Sequence, residues 1–332
     1  MPRTFSAAFV VAETEADRVV SFELDRELGR PAVAVVDVVY SQDVTPLEAV
    51  GSAAMLRFGY EGEPAHELFG VIESVSQEGT PLVGGSTEGG SSAHRARFRL
   101  VSIVAFLEGN NDARIFQDKD VKDIVTTVLE EHGLPANRQK WQLSGSYPKR
   151  EYCVQYLETT LAFVSRLLEE EGIYFRSASE DGEEVVELSD DSPSAAPIDG
   201  DAALSFRGKT GLSTASDAVV AVVERAELVA GKVTLRDYDF KRPSLDMTVD
   251  AEGEAETDLE RYDFPGLYVE PSEGKRLARV RLEAERARRE TVSILADCPR
   301  LDAGRIVELS DVPHDDLAGK FLIPRVRHLY GA

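Results

Sequence analysis

From residue 5 to residue 107 the apolar positions fall in short β-branched runs at 19–24, 32–40, 55–58, 68–75 and 96–106, each closed by turn residues. Runs of that length and punctuation predict an antiparallel β domain. Residues 79–93, between two of these strands, are rich in Gly and Ser, the composition of a flexible loop. The spacing then becomes helical. Val121, Ile124, Val125, Val128 and Leu129 share one face, Asp118 or Asp120 can cap the start, and Gly133 followed by Pro135 supplies the stop. A second helix is predicted from Leu157, Leu161, Val164, Leu167 and Leu168, ending in Glu169, Glu170, Glu171 and Gly172. Three acids at a helix C-terminus oppose its dipole, so they are expected to form a solvated end.

After Ile173 the β pattern returns, with a hairpin turn at Asp181-Gly182 between 173–177 and 184–188. Residues 189–203, rich in Asp, Ser, Pro and Ala, form the best domain boundary. The last third has β runs at 203–206, 218–228, 232–240, 292–296, 305–309 and 321–329, and one helix at about 272–290 with Leu277, Val280, Ala284 and Ala287 inward. The layout is a mainly β, α+β chain: a β domain at 1–110, an α+β insert at 111–202 and a second β domain at 203–332.

Length and charge narrow the possible partners. A chain of 332 residues exceeds one efficient core. With 37 Lys and Arg against 60 Asp and Glu, its formal charge of −23 repels a polyanion, so nucleic acid is excluded as a partner. Cys153 and Cys298 are too few for a disulfide framework or a structural zinc site and read as buried small hydrophobes. The apolar start gives way to Glu13–Asp17 too early for a signal peptide, and no apolar run reaches the ~20 residues of a membrane helix. The expectation is a protein made in the cytoplasm without a membrane anchor.

The search for chemistry is mostly negative. Gly208-Lys209-Thr210 lacks the glycine that a phosphate loop needs five places earlier, because position 203 is Ala, and no G-x-S-x-G elbow occurs. His66, His94, His132, His314 and His328 are scattered singly and read as structural or surface groups. Glu252, Glu254, Glu256, Asp258 and Glu260 alternate, which on an extended segment would put five acids on one side. That face would meet a basic partner or line a wet channel, and otherwise it is a solvated loop. The late helix carries Lys275, Arg276, Arg279, Arg281, Arg286, Arg288 and Arg289 interleaved with Glu273, Glu283, Glu285 and Glu290 and without aromatics. Pairing within the chain or between subunits is expected, rather than RNA or membrane binding. No catalytic, cofactor-binding or metal-binding residue is assigned.

Four stretches carry a resemblance: IFQDKDVKDIV at 115–125 with Glu131-His132-Gly133; LSGSYPKREYCVQY at 143–156 with FVSRLLEEEGIYF at 163–175; VTLRDYDFKRPS at 233–244; and RYDFPGLY at 261–268 with EGKRLAR at 273–279. In order and spacing the chain resembles the VgrG family, the spike proteins of type VI secretion, and the related hub proteins of contractile phage tails. The resemblance implies two tandem β-barrel-like tube domains with the helical/β insert between them, the phage tail hub arrangement. It also implies a homotrimer whose pseudo-sixfold ring sits on a hexameric, Hcp-like inner tube protein. Further implied partners are an OB-fold/needle segment or tip protein, effector cargo and baseplate proteins. Family members usually continue into the OB-fold and needle, whereas this sequence stops at Gly331-Ala332.

Tyr152, Tyr156, Phe163 and Tyr174 are expected to be core aromatics of that scaffold. The implied function is structural and not enzymatic, without cofactor or metal, in a protein that is cytoplasmic before firing and translocated with the machine. The alternatives are a phage-tail hub, a cell-wall-degrading enzyme acting through paired carboxylates, and a glycan- or adaptor-binding β module. In the trimer, three formal charges of −23 need wet surface, so an axial cavity with an acidic wall is expected, the 252–260 acids contributing to it.

Overall fold

The computed structural model describes residues 3–40, 46–63, 65–77, 94–207, 217–314 and 317–331, so the Gly/Ser stretch 79–93 and Gly208-Lys209-Thr210 lie outside the described residues. β1 (Phe5–Val11), β2 (Thr14–Glu15), β3 (Arg18–Glu27), β4 (Val33–Tyr40), β5 (Ala53–Tyr60), β6 (His66–Gln77) and β7 (His94–Val101) build one antiparallel sheet. A short helix, α1 (Pro46–Ala49), links β4 to β5. Alternation sends Ala34, Val36, Val38 and Tyr40 of β4 inward, against Phe9, Leu24, Leu56, Phe58, Ile72 and Phe98. Each fully buried side chain of this kind stabilises the fold by about 2 kcal/mol.

The eighth strand of this sheet is Arg325–Tyr330, the end of the chain, paired antiparallel to β3. The β domain expected to run through 332 therefore stops short of its own last strand. The β3 edge carries Glu23 and Asp25, and Arg327 and Arg325 sit across from them in salt bridges. Inside the curled sheet Phe5 of β1 stacks on Tyr330 at 5.0 Å, so the first and last strands meet through aromatic rings.

The insert folds around its own core. α2 (Val121–Glu131) starts at Asp120, whose carboxylate accepts from Asp123 N–H at 2.9 Å, and buries all five residues read from the spacing. α3 (Thr160–Glu171) starts later than the apolar period predicts, because Thr159 caps it by accepting from Ala162 N–H at 3.0 Å. Leu157 is consequently no helix residue: it occupies a bulge at φ 52° in strand Cys153–Thr159 and is 71 % exposed. Strands Tyr174–Glu180 and Glu183–Ser189 form the hairpin expected at Asp181-Gly182, both of which have positive φ.

The last third holds two cores instead of one. Strands Ala203–Ser205, Ile306–Ser310 and Gly319–Leu322, with the ribbon Ala218–Ala226/Glu290–Asp297, surround Leu204, Val219, Cys298, Val307 and Leu309. Between the two ribbon strands the chain makes an excursion, in which strands Lys232–Arg236, Thr248–Glu252 and Glu260–Asp263 are covered by α4 (Pro271–Arg286). α4 buries Gly274, Leu277, Ala278 and Leu282, while Ala284 and Ala287 are exposed and Val280 is half-buried. The phase differs from expectation because Gly274 faces the Tyr268 ring, where a Cβ would come within 2.7 Å, so no larger residue fits. Among the described residues no helix is long and apolar enough to cross a membrane.

Candidate interaction site

Three parts of the chain converge on one buried polar node. Arg26 of β3 donates through Nη1 to Asp302 Oδ1 at 2.9 Å and to His66 Nε2 of β6 at 2.5 Å, and through Nη2 to the Glu67 carbonyl at 2.8 Å. From the insert, Arg176 donates to Asp302 Oδ2 at 2.7 Å, to the Ala303 carbonyl at 2.9 Å and to Glu187 at 2.7 Å. Asp302 belongs to the last third, so one carboxylate ties all three parts together. Burial alone would raise its carboxyl, but Arg26 and Arg176 reverse this and hold it well below the usual carboxylate range. Gly304 has φ 79°, and a Cβ there would meet Arg176 Cδ at 2.6 Å, so the guanidinium reaches the node only past glycine.

Folding thus brings together two of the scattered histidines. The His66 and His328 rings lie 5.5 Å apart, with Phe58 against both. Burial and then Arg26 push both imidazoles down, His328 to about 4. Among the described residues no group of three His, Cys, Asp or Glu side chains could hold a metal ion.

A second tie joins the insert to α4. Glu171 is buried and receives Arg150 at 2.7 Å and Arg276 at 2.5 Å, while Gly172 packs against Val280. Of the three acids expected as a solvated end, only Glu169 is exposed, since Glu170 also pairs with Arg150 at 2.8 Å. The intramolecular pairing expected of the basic helix is otherwise present as Arg281–Asp263, Arg286–Glu256, Arg289–Glu256 and Arg288–Glu285.

The alternating acids do not form one face. Glu252 ends a strand and pairs with Lys232, the chain turns at Glu256 with φ 56°, and Glu260 begins the next strand, accepting from Thr234 Oγ1 at 2.5 Å. The extended segment assumed from the spacing is broken because Gly253 N–H and Gly231 N–H are held by carbonyls of the opposing turn.

Among the described residues, two groups of neighbouring apolar side chains are left uncovered. On the two-stranded sheet Asn111–Phe116/Cys153–Thr159, Cys153, Gln155 and Phe116 point inward, while Ile115 and its register partner Val154, with Tyr152, Tyr156 and Leu157, are exposed. Tyr152 and Tyr156, at 55 % and 71 % exposure, are therefore not core aromatics; Phe163 is fully buried and Tyr174 half-buried. The second surface is a crown of loops where the parallel strands Lys232–Arg236 and Glu260–Asp263 both end. It exposes Tyr238, Phe240, Phe264, Leu267 and Val269, and Leu267 N–H donates to Asp237 Oδ2 at 2.7 Å to join the loops. Sequence reasoning missed this crown, although the tripeptide Tyr-Asp-Phe occurs at both 238–240 and 262–264. Clustered exposed apolar side chains of this kind are candidates for contacts with other macromolecules.

Cys153 and Cys298 are buried, and burial raises both thiols, Cys298 to about 12 with Asp217 hydrogen-bonded to it. A cleft of about 360 Å³ runs between the insert and the last third, lined by Tyr174, Arg176, Glu187 and Arg305.

Comparison with known proteins agrees with this architecture. The chain is 31 % identical over 318 residues to the type VI secretion system spike protein VgrG4b of Pseudomonas aeruginosa, covering 94 % of this chain and 37 % of that protein. To VgrG5 of the same species it is 36 % identical over 236 residues, covering 70 % of this chain and 30 % of the relative. The chain thus spans well under half the length of these relatives. Among solved structures, the E. coli c3393 protein, a type VI secretion component, superposes with a TM-score of 0.69 at 20 % identity, covering 97 % of this chain and 73 % of that one. The 43 kDa tail protein of prophage MuSo2 from Shewanella oneidensis gives 0.67 at 11 % identity, covering 98 % and 94 %. These likenesses show the mainly β fold of a tail hub. Residues 25–332 match the phage tail baseplate hub (GPD) family, and the chain belongs to it.

Proposed function

We propose that this chain is the structural, non-enzymatic hub of a contractile injection spike, a homotrimer adapting a hexameric inner tube to a needle segment or tip. The observation that carries the reading is the outward apolar face of Ile115, Val154, Tyr156 and Leu157 on a sheet whose other side buries Phe116, Cys153 and Gln155. A scaffold assembled by surface contacts needs such faces. The family match supports the hub role, and the spike relatives favour type VI secretion. In this reading 1–110, closed by strand 325–330, and the remainder of 203–332 are the two tube-building parts, with 111–202 set between them, and the surplus acid faces solvent or an axial channel. The protein is made in the cytoplasm and leaves as part of the machine, with cargo and baseplate proteins as further partners.

A specific observation also favours the hub of a phage tail or tail-like particle: the prophage tail protein is covered over almost its whole length. Electron microscopy of the purified chain with rings of its tube protein tests both. Threefold density capping a sixfold ring is expected; a monomer that never caps the ring refutes the hub role. Capping of a phage tube but not of a secretion tube selects the second reading.

A further inference from the structure

The hydrogen bond between Arg26 and His66 fixes a protonation state. A guanidinium only donates, so His66 Nε2 must accept and the ring is neutral, with its proton on Nδ1. His328 donates through Nε2 to the Pro299 carbonyl at 3.1 Å, which leaves Nδ1 as an unprotonated, buried nitrogen without a partner. Neither ring can gain a proton in place. On His66 the new N–H would point at Arg26, and on His328 it would add a buried cation beside Arg26, for which the Pro299 and Leu301 backbone and the already shared Asp302 compensate only in part.

Every part packed on the pair contributes to this conflict. β3 supplies Arg26; β6 adds Glu67; the 298–305 segment supplies Asp302, Arg300 and Arg305 with the Pro299, Leu301 and Ala303 backbone; Asp199 lies on the same cavity; the insert hairpin supplies Arg176 and Glu187; and β5 supplies the Phe58 ring. Asp302 is the one carboxylate within 4 Å of His66, at 3.9 Å from Nε2, and it is already shared by two arginines. A proton entering the node would therefore meet two fixed cations and a carboxylate already committed to both.

We propose that the His66–His328 pair makes the three-part junction an acid-released clamp, closed while both imidazoles are neutral and opened when either is protonated. Opening frees His66 from Arg26, detaches Asp302 from Arg26 and Arg176, and releases the 298–305 segment from the first sheet and the insert hairpin, while strand 325–330 stays paired with β3. This goes beyond the hub reading and does not depend on it.

The sign follows from linkage. Both imidazoles lie below their ordinary value of 6.5 in the closed state, so their contribution is complete above that value and is lost as pH falls. An exposed imidazole at pH 5 favours the open state by about 30-fold over its neutral form, and two give about 1,000-fold.

Hydrogen exchange of the full chain, corrected for intrinsic rates, tests this between pH 7 and pH 5. Opening of 298–305 and 174–180 should rise by at least about 30-fold while β4 and β7 stay protected. The variant His66→Gln/His328→Gln keeps an acceptor for Arg26 and cannot titrate, so its rise should shrink to about threefold or less. Ring resonances of the unmodified protein give an independent reading even if the variant does not fold: both histidines should remain neutral at pH 6. Titration of either near 6.5 in the folded chain, or an equal rise in the double variant, overturns the clamp.

Discussion

Replacing Glu171 by Gln removes one negative charge without changing shape, at the point where the insert meets α4. The carboxylate is 4 % exposed and holds Arg150 at 2.7 Å and Arg276 at 2.5 Å. Breaking a fully buried pair costs about 3–5 kcal/mol. Arg150 and Arg276 are 22 % and 31 % exposed, and Arg150 keeps Glu170, so water and a second carboxylate offset part of the loss. The expected destabilisation is about 2–3 kcal/mol. Arg276→Met, which retains the aliphatic stem, should cost about 1–2 kcal/mol, and the double variant should fall short of the sum by about 1 kcal/mol. The chain's single tryptophan, Trp141, packs on the insert core, so its fluorescence in urea reports this part even if the whole molecule unfolds in stages. A coupling within about 0.3 kcal/mol of zero would show that α4 does not brace the insert, and would refute the contact.

Gly172→Ala should cost about 2 kcal/mol in thermal melts, because the residue sits at φ 75° and a Cβ would meet Val280 at 2.9 Å. Tyr268→Phe should lose about 1–2 kcal/mol in urea unfolding, since the buried hydroxyl donates its one proton to the Met247 carbonyl, with the Leu235 carbonyl at 3.2 Å, and an unchanged midpoint would deny it that role. Cys153 and Cys298 should resist a thiol reagent at pH 8 in the folded chain and react on unfolding; rapid native labelling would contradict their burial. Tyr156→Ser should leave the melting temperature within about 2 °C and, on the proposed hub reading, weaken assembly on the tube in mass photometry, whereas a large stability loss would place the ring in the core.

The parts legible in the sequence were those whose determinants are local. α2 buries the five residues that its spacing names, and the Asp181-Gly182 turn forms where its dipeptide predicts. Leu157 continued an apolar period, but Thr159 offered a cap two residues later and the cap set the helix start. The last strand falls within the apolar run 321–329, and nothing at 325–330 announces that its partner is at 22–27. The node was invisible for the same reason: Arg26 and Asp302 are 276 positions apart, and a lone arginine looks the same whether it is solvated or buried. The facing of Tyr152 and Tyr156 is decided by strand alternation relative to Cys153, which becomes readable only once the strand is known to lie on a helical core.

The excursion between Ala226 and Glu290 leaves and re-enters the ribbon at paired residues, and Glu227 N–H still donates to the Arg289 carbonyl at 2.8 Å. Its ends are therefore held together by the ribbon, whatever lies between them. The entropy of closing that loop grows only with the logarithm of its length, so a shorter or longer folded piece could replace it at nearly constant cost to the ribbon. Evolution can treat the excursion as an exchangeable cassette, provided a newcomer supplies a cation where Arg276 now meets Glu171. Hubs of one ancestry could then differ chiefly in what this cassette presents, while the ribbon that carries it remains the same.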